Sequence, residues 1–332
     1  MKMRKDMSLK ELSFALTQHE DDLQLFANGI SMDAYAEFEQ TEDAIMELLY
    51  LLYQKYEQKG IKPDADTTKY IESLKKKIEE IRANVFDEEE DELEDYSKST
   101  AKNEGKFLHT FFLSLTGTSL YLDTDTYGDI AKYGVYNGGT VHQIFERIAG
   151  TDTSRIFDAM ITSLRTGKTL SEARELVKRE LKKTKNFVKN EIDSIINGIA
   201  NDVTLAFSAQ HKTRLLYSTA LDNKVCEECS QYEGAVFMYD SPEITSPPQH
   251  IHCRCKLIPI PNDGEDYSDL LMDFGDYFEE LSPEAQQERL GKDKYGLLRS
   301  GGYKLMSYEE PLPNQRMTLP QLKERDISLF RA

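Results

Sequence analysis

The chain has 332 residues, a length that accommodates two or three domains with a substantial core in at least one of them. Hydrophobic residues make up 39% of the chain and aromatic residues 10%, a composition that is typical of globular proteins and excludes a disordered or fibrous chain. The net charge of −18 argues against a protein that wraps nucleic acid, because contacts with phosphates require Lys and Arg on the facing surface.

The start of the chain, MKMRKDMSLKELSF, is basic but lacks the apolar stretch of a secretory signal. The most apolar stretch, Ile45 to Tyr53, is interrupted by Glu47 and is shorter than the roughly 18 apolar residues that a membrane-spanning helix needs. We therefore expect a protein that is made in, and first used in, a cytoplasm and does not span a membrane.

Apolar residues at steps of three and four predict two helices in the first part of the chain. The first should have Thr41 as its N-cap, extend over residues 45–56 and end before Gly60 and Pro63. The second should cover residues 70–85. We expect the two to form an antiparallel hairpin with facing apolar stripes.

Charged residues are concentrated in two segments. Residues 87–95 read DEEEDELED, and this run predicts an exposed loop or linker, with repulsion from packaged DNA as the functional alternative. Residues 178–189 read KRELKKTKNFVK, which is typical of the solvated face of a helix; the alternative is contact with a phosphate group or a partner.

The middle of the chain begins irregularly and then becomes helical. Several glycines between residues 97 and 150 predict turns and short elements. Three helices are expected after them, over residues 152–164, 170–181 and 185–210. Thr169 and Glu172 have the spacing of a capping box at the start of the second. Gly198 in the third indicates close packing, since glycine inside a helix costs about 1 kcal/mol relative to alanine.

The pattern then changes to alternation with a period of two. It predicts three short strands, over residues 215–220, 235–239 and 256–260, which should form a small antiparallel sheet. Helical segments follow near residues 270–281 and up to Leu290, with a turn at Ser282 and Pro283 between them.

The predicted fold class is therefore α+β, mainly α: a helical N-terminal region, then a small antiparallel β module with a Cys/His cluster, then a short helical C-terminal segment. We divide the chain into a helical N-terminal hairpin and acidic linker (1–95), an irregular mixed region (96–150), a helical platform (151–213), the Cys/His β module (214–262), and a C-terminal helical segment and tail (263–332).

All four cysteines lie between positions 226 and 255, and in a protein of the cytoplasm such a cluster indicates metal or redox chemistry. A C-x-x-C turn followed about twenty residues later by H-x-x-C can supply the four ligands of a tetrahedral Zn²⁺ site. The simplest set is Cys226, Cys229, His250 and Cys253. Cys255 is placed to replace Cys253, and His252 is a weaker candidate because alternation directs it to the other face.

Three other interpretations of the cluster stay open at this point. The thiols are buried without a metal, or are oxidised in pairs, or one of them is a catalytic nucleophile beside a histidine. The last is the least supported, because C-x-x-C near C-x-C is usually structural and no oxyanion loop is apparent. The sequence also lacks a phosphate-binding GxxxxGK[ST] loop, an HExxH helix and a GxSxG turn. We therefore do not expect an enzyme.

The Cys segment resembles a known family. The pattern D-x-x-x-C-x-x-C-x-x-x-x-G, beginning at Asp222 and followed by H-x-x-C-R-C from His250, is similar to the C-terminal module of phage Mu F-like minor head proteins. Lys189-Asn190-Glu191 stands where that family usually has Arg-Thr-Glu. Residues 282–284, 290–292 and Tyr295 resemble its closing pattern. The resemblance covers roughly residues 140–300. The family commonly reads His-Pro-Asn-Cys-Arg-Cys, whereas this chain reads HIHCRC.

The resemblance implies a structural protein of the phage head and of the virion, present in multiple but few copies. It implies the portal protein and the inner capsid shell as partners, contact with packaged DNA, and a role in head morphogenesis and DNA exit. The alternatives are a zinc-binding module that interacts with nucleic acid and a carrier of an effector domain. The acidic residues around the cysteines argue against the first. The second would need a catalytic effector domain, and the fewer than about 80 residues that follow Cys255 are too few for one.

Overall fold

The computed structural model describes residues 7–56, 65–136, 138–219, 225–251, 253–305, 312 and 315–331. Most of these residues are helical, and a three-stranded antiparallel sheet lies beside a Cys/His cluster. The predicted fold class, α+β and mainly α, is confirmed. None of the helices described is long and apolar enough to cross a membrane.

The chain forms two compact units, each assembled from separate segments. Unit 1 comprises residues 1–29, 95–138 and 193–332, and unit 2 comprises residues 30–94 and 139–192. Three long helices contribute residues to both: α1 (Leu9–Gln40), α3 (Ala65–Thr116) and α6 (Leu170–His211). The five-part division by sequence stays a proposal about how the chain is organised.

Unit 2 has a helical core that includes the predicted N-terminal helices. Helix α2 (Glu42–Tyr56) begins directly after Thr41, as predicted, and packs with the first turns of α3, with α5 (Val141–Arg165) and with the start of α6. A buried ion pair of 2.6 Å joins the Arg82 Nε to the Asp152 carboxylate. The Arg82 guanidinium also donates to the Thr41 hydroxyl at 2.6 Å, and the Thr184 hydroxyl donates to Asp152 at the same distance.

The acidic run at residues 87–95 is not a loop or linker; that prediction was wrong. It is an interior part of the 52-residue helix α3, which also contains the predicted helix at 70–85. Two residues within the run, Glu89 and Leu93, are buried, so one side of this helical segment packs, while six of the other carboxylates are exposed. Burial, followed by repulsion from neighbouring carboxylates, raises the pKa of Glu89 to about 8. Glutamate is a good helix former, and its charge alone does not interrupt the periodic packing of a helix.

The region at 96–150 is also more regular than predicted. Helix α3 continues to Thr116, and α4 (Thr126–Tyr133) follows. Helix α5 begins at Val141, where Thr140 and Gln143 form a capping box. A turn follows α5, as the predicted helices at 152–164 and 170–181 require, and in it Gly167 has φ 69°. The predicted capping box is also confirmed, since the Glu172 carboxylate accepts from the Thr169 backbone N–H at 2.8 Å.

Helix α6 is one continuous helix where two were predicted, at 170–181 and 185–210. The basic residues between them lie on its exposed side and do not break it. The predicted close packing at Gly198 is confirmed within unit 1, because a Cβ at this position would overlap the ring of Tyr136. The buried apolar residues in the later part of this helix are Val188, Ile192, Ile195, Ile196, Ile199, Val203 and Phe207.

Unit 1 contains the predicted sheet. Its strands are β1 (Arg214–Ser218), β2 (Val236–Met238) and β3 (Lys256–Ile260), in the order β2-β1-β3 with both pairings antiparallel. Leu215 of the central strand is opposite Phe237 on one side and Pro259 on the other. A short helix α7 (Glu227–Ser230) lies in the connection between β1 and β2. Ala220, the last residue of the predicted first strand, lies outside the described residues.

The C-terminal part of unit 1 has short helices, as predicted, with altered bounds. The segment expected near 270–281 consists of a 3₁₀ turn (Ser268–Leu270) and helix α8 (Phe274–Glu280), since Asp273 caps a new helix start. Helices α9 (Pro283–Leu290), α10 (Lys292–Arg299) and α11 (Leu319–Leu329) follow. Ser282 caps α9 at the predicted turn.

A buried histidine connects three of the elements of unit 1. The His19 ring of α1 contacts Glu104 of α3 at 2.7 Å and Asp326 of α11 at 2.6 Å, and it stacks on Phe107. Burial acts to lower the pKa of His19, but the two carboxylates outweigh it and raise the pKa to about 10. The imidazolium is therefore charged at neutral pH and pairs with both acids.

Replacing Leu93 tests whether the acidic run packs as part of a helix. Because Leu93 is 1% exposed, we expect Leu93→Ala to lower the free energy of unfolding by about 2–5 kcal/mol, the usual cost of truncating a buried leucine. The matched control is Asp91→Ala at an exposed position of the same run, which should change stability little. Urea unfolding curves of both variants measure the difference. Equal stability of the two would contradict the buried helix.

Candidate metal centre

The first two cysteines are positioned by the short helix α7. Cys226 is the N-cap of this helix, with extended φ and ψ of −71° and 157°, and its Sγ accepts the backbone N–H of Cys229 at 3.3 Å. A thiol at an N-cap takes the place of the usual hydroxyl or carboxylate oxygen. The C-x-x-C spacing thus directs both sulfur atoms to one side of a single turn. Cys229 is buried, and Cys226 is half-buried.

The second group of predicted ligands lies in the turn that precedes β3. The backbone N–H of Cys253 donates to the carbonyl of His250 at 3.0 Å, which closes this turn. The His250 Nδ1 lies 2.8 Å from the Ile251 carbonyl and donates to it. That bond fixes the tautomer in which Nε2 carries the lone pair, the form of histidine that binds metal ions.

The side chains of the five predicted ligands form two groups that share Cys229. His250 Nε2 lies 3.1 Å from the Cys226 Sγ and 3.5 Å from the Cys229 Sγ, and the Sγ atoms of Cys229 and Cys253 are 3.9 Å apart. Two groups have ligand atoms within 4.8 Å of one another: Cys226, Cys229 and His250, and Cys229, Cys253 and Cys255. Cys229 belongs to both groups. His252 lies outside the described residues.

These separations fit a tetrahedral metal ion. With ligands at 2.3 Å for sulfur and 2.0–2.1 Å for nitrogen, the edges of a tetrahedron are about 3.8 Å between two sulfurs and about 3.5 Å between sulfur and nitrogen. The Cys229 distances of 3.9 Å to Cys253 and 3.5 Å to His250 match both edges. The 3.1 Å between the Cys226 Sγ and the His250 Nε2 is shorter than such an edge, so these residues could hold a metal ion once the two side chains move apart. All four cysteines are free thiols.

The environment divides the cysteines into two classes by pKa. A hydrogen bond from the Cys255 thiol, opposed by burial, lowers the pKa of Cys253 to about 5. Burial acts to raise the pKa of Cys226, but the Cys229 backbone N–H and His250 outweigh burial and lower this pKa. Burial raises the pKa of Cys229 to about 12, and the bond to Cys253 raises the pKa of Cys255. Thiolates, the form that binds metals, are thus favoured on both sides of the cluster.

A known family is similar to the part of the chain that contains the Cys/His cluster. Residues 154–258 match the family model described as "Phage Mu protein F like protein". This segment of the chain is similar to the phage Mu F-like family. The matched segment runs from the middle of α5 through α6 to β3, so it contains the whole Cys/His cluster. The resemblance stated from sequence is thereby confirmed for 154–258. No curated protein and no solved structure matches the chain.

Two asparagines of the phage Mu F-like segment hold the cysteine turn, and sequence reasoning missed both. Asn197 of α6 donates to the carbonyls of Cys253 at 2.7 Å and Cys255 at 3.3 Å. Asn201, one turn later, donates to the Cys255 carbonyl at 3.3 Å and accepts the Leu257 backbone N–H at 2.8 Å. Both side chains are buried. Their signal in the sequence is two amides four residues apart within the apolar stripe of a helix, where polar residues require partners.

Removing one of these amides tests its role. We expect Asn201→Ala to lower the free energy of unfolding by about 1–3 kcal/mol, because it leaves the buried N–H of Leu257 without an acceptor. The matched control is Asn186→Ala, an exposed amide on the same helix, which should have little effect. Thermal unfolding and the reactivity of the buried thiols toward a thiol reagent are the measurements. Unchanged stability and thiol reactivity would show that the amide does not hold the turn.

Proposed function

We propose that this protein is a structural minor head protein of a tailed phage, acting in head morphogenesis and carried in the virion. The observation behind this proposal is the family match over residues 154–258, which encloses the complete Cys/His cluster and the helix that holds it. A role as a structural component, and not as an enzyme, is part of the proposal. The cluster is compact and bonded to the backbone, which suits a centre that stabilises the fold.

The finer parts of the proposal concern location. We propose that the protein lies inside the capsid shell near the portal vertex, contacts the portal protein and acts at DNA exit. A net charge of −18 supports limited contact with packaged DNA and favours protein partners, since like charges repel the phosphate backbone. The host cytoplasm is the proposed place of assembly.

The first test is the composition of the virion. Quantitative mass spectrometry of purified particles should find this chain at a few to tens of copies, far fewer than the major capsid protein. Chemical cross-linking of the same particles should join it to the portal protein. Absence of the chain from mature particles would contradict the virion role, whereas presence without portal cross-links would contradict only the proposed location.

We further propose that the cluster binds Zn²⁺ through Cys226, Cys229, His250 and Cys253, with Cys255 as the alternative fourth ligand. Thiolate and imidazole ligands in tetrahedral arrangement suit Zn²⁺ better than Mg²⁺ or Ca²⁺, which prefer oxygen. The distances at Cys229 support this set. Such an ion would stabilise the module by joining the β1–β2 connection to the turn before β3. A sheet of three short strands offers too little apolar area to stand alone.

Metal analysis of the full-length protein, purified without added zinc, tests this proposal. We expect close to one Zn²⁺ per chain, with a marked loss in His250→Asn and full retention in the control His142→Gln, an exposed histidine outside the cluster. A chelator should lower the melting temperature of the wild-type protein, because the free energy of metal binding is part of the free energy of folding.

The alternatives give different results in the same experiment. If the cysteines pair as disulfides, a reductant lowers the melting temperature and a chelator does not. If they are only packed, the protein contains no metal, all four thiols titrate, and neither reagent alters stability. Either outcome overturns the zinc proposal and leaves the proposal of a virion component intact.

A further inference from the structure

Strand β2 forms one edge of the sheet and exposes apolar side chains. In the order β2-β1-β3, its only strand neighbour among the described residues is β1. Val236 is 48% exposed and Met238 40% exposed, while Phe237 between them packs into the core around the cysteines. Ile251, in the turn after His250, adds a third exposed apolar side chain to the same module.

At this edge the backbone N–H and C=O of Val236 point away from β1. The Tyr217 N–H donates to the Ala235 carbonyl at 2.8 Å and the Tyr217 carbonyl accepts the Gly234 N–H at 3.0 Å, so residues 234 and 235 form a β-bulge opposite Tyr217, at a hydrogen-bonded position of the ladder. Pairs of this kind alternate along a ladder, which places the backbone groups of Phe237 toward β1 and those of Val236 away from it. The outer edge therefore presents an N–H and a C=O beside an exposed apolar side chain, the arrangement to which another strand can add.

The charge of the segment that contains this edge has one sign. Between residues 225 and 251 there are five carboxylates and no Lys or Arg: Glu227, Glu228, Glu233, Asp240 and Glu243. All of these are exposed except Glu233, which is half-buried and accepts the Thr219 backbone N–H at 2.7 Å. Asp240 follows the strand by two residues. A partner at this edge is consequently in a negative field.

We propose that the β2 edge is a docking surface for an extended, basic segment of another protein, which adds as a strand and places apolar residues against Val236 and Met238. The negative charge of this segment favours a basic partner over the two alternatives. A second copy of the same edge would bring two acidic segments together, and a nucleic acid would bring phosphates against carboxylates. The surface is derived from the module alone, and only its use in head assembly rests on the proposed function.

Binding of a defined peptide to the full-length protein tests the surface. The probe is an octapeptide of alternating Lys and Val with blocked ends, and the control probe has Glu in place of Lys. Fluorescence anisotropy should detect binding of the Lys peptide and not of the Glu peptide. Hydrogen exchange of the Val236 amide should slow when the Lys peptide is bound, because that N–H gains an acceptor.

Substitutions at the edge separate strand addition from general charge attraction. Val236→Pro removes the outward N–H without removing a bond to β1, and should weaken binding of the Lys peptide roughly tenfold or more. The comparison variant Val236→Thr keeps the N–H and should therefore bind the Lys peptide more tightly than Val236→Pro does. Asp240→Lys should weaken binding without touching the ladder. The melting temperatures of all three report whether the module stays folded.

Several outcomes would overturn the inference. Equal affinity of Val236→Pro and wild type would mean that the edge is not used, and equal affinity for the Lys and Glu peptides would remove the argument from charge. Self-association of the protein that Val236→Pro abolishes would assign the edge to a second copy. None of these results bears on whether the chain is present in virions, so failure here is distinguishable from failure of the proposed function.

Discussion

Two buried amides of α6 hold the turn that carries Cys253 and Cys255 at the candidate metal centre. The Asn197 and Asn201 side chains bind the backbone of Cys253, Cys255 and Leu257, which is the segment leading into β3. A buried carbonyl without a partner costs about 1–3 kcal/mol, so these bonds favour one placement of the turn over the alternatives. The thiols of that turn therefore reach Cys229 because a helix fixes the backbone beside them.

The strands and caps of this protein were predictable because their signals are local. Alternation placed all three strands within one or two residues, and Thr169 with Glu172 marked a helix start correctly. The prediction for the acidic run at residues 87–95 was wrong for a physical reason. Its charge predicts a solvated loop, yet residues 82, 86, 89, 93 and 97 follow at helical steps and are all buried. Periodicity over the longer window carried more information than the charge within nine residues.

The candidate site likewise has a part that the sequence predicts and a part that it does not. The C-x-x-C and H-x-x-C spacings each place two of the predicted ligands on one turn, Cys226 with Cys229 and His250 with Cys253, and tertiary packing brings the two turns into contact. Sequence does not choose between Cys253 and Cys255. Both precede β3 in an irregular segment, where alternation does not apply, and both lie near Cys229. The two asparagines escaped notice because their partners are backbone groups more than fifty residues away, which no local pattern records.

The Cys/His cluster and the exposed β2 edge are connected through the same segment of the chain. The excursion from 226 to 253 begins and ends at residues of the Cys/His cluster, and β2 lies between those ends. A strand of three residues paired on one side gains little from its own hydrogen bonds. Its register depends on Phe237, which packs beside Tyr232 against the cysteine core. A centre that holds both ends of the excursion therefore also sets the position of Val236 and Met238. The two proposals are therefore linked: an ion bound at the cluster would act mechanically, by keeping the acidic, apolar β2 edge in the form that the proposed basic strand would join.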